Sequence, residues 1–297
     1  MNYREIMLSS TDYIEQNLKV DLTVRLLAKR ANFSPYHYYR LFTFYLGMPV
    51  MEYVRLRRLA HAAAELSQNK RILDIAIEYG FETHNGFAKA FRKTYGFSPA
   101  EYRKRVSAHR PLLANPIAGV TAGEGQNLPV CRIERKNGFY VAGFILRTET
   151  NLASVSKMPA LWNEYRVYDY DNKLYAMVNP KEHGEYNICF PSGDKETFDH
   201  VNCVRVSSLD GIAAGLYKNF VPAATYAIFT SPPTRFGNNG FVKSITRTWE
   251  YIYETWLPDS GYIIDQNKLD FEFYDERCHG DENSFQSMEI YVPVIKK

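Results

Sequence analysis

Four cysteines are spread over the 297 residues, at Cys131, Cys189, Cys203 and Cys278. None stands in a C-x-x-C pair or at metal-ligand spacing, so the residues give neither a zinc site nor a disulfide framework, and reduced thiols are expected. No run approaches the ~18 apolar residues that a membrane span needs. Met1 to Ser10 carries charge and lacks an apolar core, which reads as no signal peptide. Phosphate loops, Ser/His/Asp arrangements and metal clusters are missing, and His183, His200 and His279 look isolated. The expectation is a cytoplasmic protein with no cofactor and no metal, and not an enzyme.

Net charge is also small, +3, but it is unevenly placed. Residues 1–110 hold 18 Lys and Arg against 10 Asp and Glu, and the remainder holds 18 against 23. A basic front half suits a polyanion, because neutralising phosphates releases counterions. The back half has no such excess.

Between Leu22 and Tyr102 one pattern is written twice. The first copy runs Ala28, Asn32-Phe33-Ser34-Pro35, Arg40-Leu41-Phe42, Gly47 and Pro49; the second runs Ala76, Gly80-Phe81, Thr83, Phe87, Phe91-Arg92-Lys93, Gly96 and Pro99. Each copy reads as a helix, a tight turn at a residue that tolerates positive φ, and a second helix. That is a helix-turn-helix, whose second helix enters the major groove of DNA. Ser34 with Pro35, and Thr83, are the expected starts of the two reading helices. Tyr38, Leu41, Phe42 and Tyr45 then face the core, which leaves Tyr36, Tyr39 and Arg40 on the other side. In the second copy His84, Asn85 and Gly86 occupy the first turn, with Lys89 one turn on. Arg40 suits guanine, Asn85 suits adenine, and His84 and Lys89 suit bases or phosphate. Pro49 to Ser67 reads as one helix joining the modules.

These residues resemble the AraC/XylS family of transcription regulators. The likeness rests on Leu56-Arg57-Arg58-Leu59, Ala63, Leu66, Ile75-Ala76, Tyr79-Gly80-Phe81, Phe87, Phe91-Arg92-Lys93, Gly96, Ser98-Pro99 and Tyr102-Arg103. It implies base contacts at Tyr36, Tyr39, Arg40, His84, Asn85 and Lys89. The tyrosines depart from the usual tryptophan or polar residues, so the target sequence is not inherited.

Ser107 to Pro129 loses periodicity and collects Pro and Gly, which reads as a linker. Strand-like runs follow at Cys131–Arg147, Tyr175–Asn179, Val201–Ser207, Tyr217–Thr230, Leu269–Tyr274 and Met288–Val294. Helices are expected over 154–168 and 241–257, the second with Val242, Ile245, Trp249, Ile252 and Trp256 on one stripe. The fold class is therefore multidomain: an all-α tandem helix-turn-helix domain at 1–106, a linker at 107–129, and an α+β domain at 130–297. The last is read as a duplicated strand-helix-strand-strand arrangement with one antiparallel sheet and both helices on one face. Alternation along Asp270 to Tyr274 points Phe271 and Phe273 at the helices, with Glu272 and Tyr274 on the open side. A carboxylate among aromatic rings suits a cation.

The back half resembles the GyrI-like small-molecule-binding domain through Ala223-Ala224-Thr225-Tyr226-Ala227-Ile228-Phe229, Trp249, Ile252-Tyr253, Trp256-Leu257-Pro258, Ser260-Gly261-Tyr262, Phe271-Glu272, Tyr274 and Glu289-Ile290-Tyr291-Val292-Pro293. Thr225 stands where that pattern has glycine. The resemblance implies a pocket for cationic compounds at Glu272, with Tyr274, Tyr226, Trp162 and Tyr291 as its aromatic candidates. The function expected is an activator of transcription that binds double-stranded DNA and RNA polymerase and senses a small, cationic aromatic effector. The alternatives for the back half are a protein partner, or a hydrolase with Glu272 as base and Tyr274 as its partner.

Overall fold

The computed structural model describes residues 3–66, 68, 70–105, 128–147, 170–192, 197–235, 240–278 and 285–297. They fall into two compact units, one helical and one built on a sheet.

The helical unit runs α1 (Tyr3–Gln16), α2 (Val24–Arg30), α3 (Pro35–Leu46), α4 (Val50–Glu65), α5 (Ile72–Glu78), α6 (His84–Tyr95) and α7 (Pro99–Arg105). The punctuation read from sequence is in place. Ser34 and Thr83 cap α3 and α6, accepting from the amides of His37 and Gly86. The α2–α3 and α5–α6 turns pass through positive φ at Asn32 (58°) and Gly80 (75°), and Gly47 and Gly96 end α3 and α6 in the left-handed region. Each module is braced by an arginine. Arg58 donates to the carbonyls of Leu18 and Val20, and Arg103 to those of Leu66 and Lys70. Tyr38, Leu41, Phe42, Phe87 and Phe91 are buried core residues.

The second unit contains β1 (Val130–Lys136), β2 (Phe139–Arg147), α8 (Tyr170–Val178), β3 (Glu185–Ser192), β4 (Thr197–Val206), β5 (Tyr217–Val221), β6 (Ala224–Thr230), β7 (Thr234–Arg235), α9 (Gly240–Tyr251), β8 (Tyr262–Ile264), β9 (Phe271–Tyr274), β10 (Phe285–Gln286) and β11 (Glu289–Lys296). Among the described residues the main sheet has the order β1-β6-β11-β9-β3-β4-β2-β5, with β8 added to β11. Its ladders are antiparallel. Read inward from its two ends, the order exchanges β1, β2, β3 and β4 for β5, β6, β9 and β11. The domain is thus a duplication whose halves meet along β3 and β9, where Asn187 pairs with Glu272. In each half a first strand crosses over to edge the other half.

The structure departs from the sequence expectations at several elements. The runs at 131–147 and 217–230 are each two strands, broken at Asn137-Gly138 and at Pro222-Ala223. The segment expected to be a strand over Tyr175–Asn179 belongs to helix α8. Leu174 and Val178 share its inner stripe against Val204, and Asn179 closes the helix at φ 48°. So short an apolar run does not separate a period of 2 from one of 3.6. Strand β3 is not among the strand-like runs of the sequence, because polar Glu185 and Asn187 point into the protein and hide its pattern. The helix expected over 154–168 lies outside the described residues.

Helix α9 is offset from its expected stripe. Val242 is exposed, and the buried face runs through Phe241, Ser244, Thr248, Trp249 and Ile252. Ser244 and Thr248 are buried because their hydroxyls donate to the carbonyls of Pro232 and Ser244, so a reading based on apolar residues alone passes over them. Past Tyr251 the helix widens into a π-turn (Ile252–Trp256). There Trp249 stacks on Tyr253, and Trp256 meets Phe229 edge-on.

Candidate DNA and effector sites

Helix α6 presents His84, Asn85 and Lys89 to solvent, while Phe87 and Phe91 anchor its back to the core. Gly86 keeps the cap open, since a Cβ there would lie 2.9 Å from Thr83 Oγ1. Helix α3 is different. Tyr39 and Arg40 are half-buried, and Tyr36, expected on the reading face, is only 5 % exposed. Its ring meets that of His37 edge-on, and its hydroxyl accepts from Arg40 Nη1 at 3.4 Å. Tyr36 thus serves packing and the placement of Arg40.

Behind these helices lies an ionic frame that the sequence reading did not pick out. Glu15 of α1 accepts from Arg57 Nε at 2.6 Å and Nη2 at 2.9 Å, from His61 at 3.2 Å and from the Tyr53 hydroxyl at 3.2 Å. Burial pushes the Glu15 carboxyl up, but Arg57 and then His61 outweigh it and hold the pKa below the usual carboxylate value. Glu65 of α4 likewise overcomes burial through hydrogen bonds from Lys19, Lys70 and Tyr79, and is held at about 2. These pairs fix α1, α4 and α5 together, and so fix the scaffold from which α6 projects.

In the sheet unit, Glu272 and Tyr274 do not face an open side. The Trp249 indole of α9 donates to Glu272 Oε1 at 2.9 Å, and the Tyr274 hydroxyl donates to Glu272 Oε2 at 2.7 Å. Phe241 of α9 lies edge-on to Tyr274. Glu272 therefore lies on the helix-covered face, with Phe271 and Phe273 on the other. Alternation shows which residues share a face but not which face the helices cover. Burial, and next the neighbouring Glu272 charge, raise Tyr274 well above an ordinary phenol, so it stays a donor. Among the described residues, neither Glu272 oxygen pairs with a cation.

The other candidate aromatics are not at this carboxylate. Tyr291 pairs with Phe271 and Tyr226 with Pro293, which puts both tyrosines on the face away from α9. There Tyr291 stacks on Phe271 at 4.6 Å, Tyr226 meets both rings, and the Tyr226 hydroxyl donates to the Leu269 carbonyl. Trp162 lies outside the described residues. The same face holds a second carboxylate, Glu289, which is already neutralised. Arg132 grips it through two nitrogens at 2.9 and 3.0 Å, Tyr291 donates at 2.8 Å, and Arg277 approaches at 3.4 Å.

His200 is not isolated, because both of its ring nitrogens lie 3.2 Å from Cys189 Sγ across the β3–β4 ladder. His183 is 4.0 Å from Glu185, and His279 lies outside the described residues. Among the described residues, no group of three or more metal-binding side chains gathers, and no helix is long and apolar enough to cross a membrane.

Tandem helix-turn-helix modules followed by a duplicated sheet with a carboxylate under its helix define a DNA-binding transcription regulator with an effector-binding domain. Comparison with known proteins agrees. The family described as integron-associated effector binding protein matches residues 132–294, and the chain belongs to it. The helix-turn-helix domain pattern matches residues 27–105, and this part of the chain is of the AraC type.

The front half is 37 % identical over 102 residues to the HTH-type transcriptional activator AarP of Providencia stuartii, covering 34 % of this chain and 76 % of AarP. It is 38 % identical over 104 residues to the HTH-type transcriptional regulator YbfP of Bacillus subtilis. That match covers 35 % of this chain and 35 % of YbfP, so the chain spans about a third of the latter's length. A solved structure, described as SAV2435 bound to tetraphenylphosphonium, is 16 % identical with a TM-score of 0.45, covering 56 % of this chain and 94 % of that one.

Proposed function

We propose that this regulator is an activator whose sheet domain, residues 130–297, binds a cationic aromatic effector at Glu272, joined through a linker at 107–129 to a DNA-binding domain at 1–106. The observation that carries the effector class is the setting of Glu272. Its two oxygens accept from neutral donors, Trp249 and Tyr274, and no cation is paired with it among the described residues. A half-buried carboxylate so placed favours a positive ligand, and the rings of Trp249 and Tyr274 add quadrupole attraction. The charge of Glu289, by contrast, is already met by Arg132 and Arg277. DNA is read by Tyr39 and Arg40 of α3 and by His84, Asn85 and Lys89 of α6. Activation, as named for AarP, implies contact with RNA polymerase. The effector acts by its differential affinity for the states of the regulator.

Calorimetric titration of the full chain with tetraphenylphosphonium, a neutral aromatic of similar size and tetraphenylborate tests the effector class. The cation is expected to bind the wild type and to bind Glu272→Gln about tenfold more weakly or worse, a loss in the range of a charge-assisted contact. Equal binding of the two proteins, or equal binding of the anion, would refute it.

A further inference from the structure

Glu272 is one end of a polar row that crosses the helix-covered face of the sheet. It pairs directly with Asn187 of β3, and Asn187 pairs directly with Asn202 of β4. Directly opposed residues of antiparallel strands point their side chains to the same face. That this is the helix side is fixed at both ends of the row. Trp249 of α9 meets Glu272, and Val204, two residues on from Asn202, packs with Leu174 of α8. Asn202 is only 1 % exposed, and its Oδ1 has no hydrogen-bond partner among the described residues. A buried amide oxygen left unpaired costs free energy, and such atoms are rare in native proteins unless a ligand or water completes them.

From this row we infer that the effector carries two recognition points: a cationic group at Glu272, and a hydrogen-bond donor that reaches Asn202 Oδ1. The inference rests on the effector reading of Glu272 and deepens it. Two strand spacings separate the ends of the row, roughly 10 Å. The class of ligand is therefore an elongated aromatic cation with an amine, amidine or guanidine at its far end, in preference to a compact lipophilic cation with no donor. Asn187, half-buried between the two ends, lies under the middle of such a molecule.

The test compares a biphenyl diamidine with the matching biphenyl monoamidine, titrated into the full chain. In the wild type the diamidine is expected to bind about tenfold more tightly or better, the worth of one added charge-assisted hydrogen bond. Asn202→Leu should abolish that advantage and leave monoamidine affinity unchanged. Asn202→Asp should enlarge it, a gain that a damaged fold would not produce. Glu272→Gln should weaken both ligands. An advantage that survives Asn202→Leu and does not grow in Asn202→Asp overturns the second recognition point while leaving Glu272 in place. Equal binding of the two amidines by the wild type does the same. Affinities untouched by Glu272→Gln, or no binding of either ligand, overturn the Glu272 reading and this inference with it.

Discussion

The indole N–H of Trp249 donates to Glu272 Oε1 at 2.9 Å, tying helix α9 to the strand at the middle of the sheet. The bond holds the carboxylate in position without cancelling its charge. Trp249→Phe keeps most of the ring, which stacks on Tyr253, and removes the donor. It is expected to lower stability by about 1 kcal/mol, measured by urea denaturation, and to leave cation binding within a few-fold of wild type. Loss of binding as large as that of Glu272→Gln would mean that the indole, and not the carboxylate, makes the site.

Gly80 is needed twice over. Its φ is +75°, and a Cβ would lie 2.7 Å from the Arg58 guanidinium, which is itself engaged by two carbonyls. Gly80→Ala is expected to destabilise the helical unit by about 2 kcal/mol or more. Asn32, at φ 58° in the equivalent turn, should tolerate Asn32→Gly with little change. Thermal melts of the two variants check the contrast.

Acid should loosen the helical unit first at its carboxylates. The folded pKa of Glu15 is depressed, so its contribution to stability is present above the unfolded carboxylate value of about 4.3 and is lost as pH falls through the folded value. Glu65, held at about 2, extends the same loss to lower pH. Arg57→Gln is expected to cost about 2 kcal/mol at neutral pH and to flatten the decline below about pH 4. Helical circular dichroism followed through an acid titration reads this directly, and an unchanged acid limb would remove the Glu15–Arg57 pair from the account.

On DNA, Asn85→Ala is expected to cost about 1–3 kcal/mol and to relax preference at one base pair, and Arg40→Ala to do the same in the other half of the site. Lys89→Ala should weaken binding to all sequences alike and reduce its salt dependence. Tyr36→Ala should instead lower stability by about 3 kcal/mol. Binding-site selection alongside melts separates these outcomes.

The helical half was readable because its signals are local. Caps at Ser34 and Thr83, positive-φ turns and a period of 3.6 each lie within a few residues of what they specify. The sheet half was readable only in part. Alternation found the strand around Glu272 and which of its residues share a face, but the side that the helices cover is set by the crossover of α9, which alternation does not encode. Asn187 and Asn202 join Glu272 only through the register of three strands distant in sequence, so nothing near either asparagine could reveal the row. Tyr36 was misplaced for a related reason, because helical spacing places it opposite Tyr38 and Leu41 without showing what else packs there.

Transcription in vitro by full-length wild type and Glu272→Gln, from a promoter carrying the selected binding site and with and without the biphenyl monoamidine, tests effector sensing at Glu272. The cation is expected to change transcript yield with the wild type and to leave it unchanged with Glu272→Gln, while both proteins bind the promoter equally without ligand. The same response from both proteins, or none from the wild type while it demonstrably binds the cation, would contradict it.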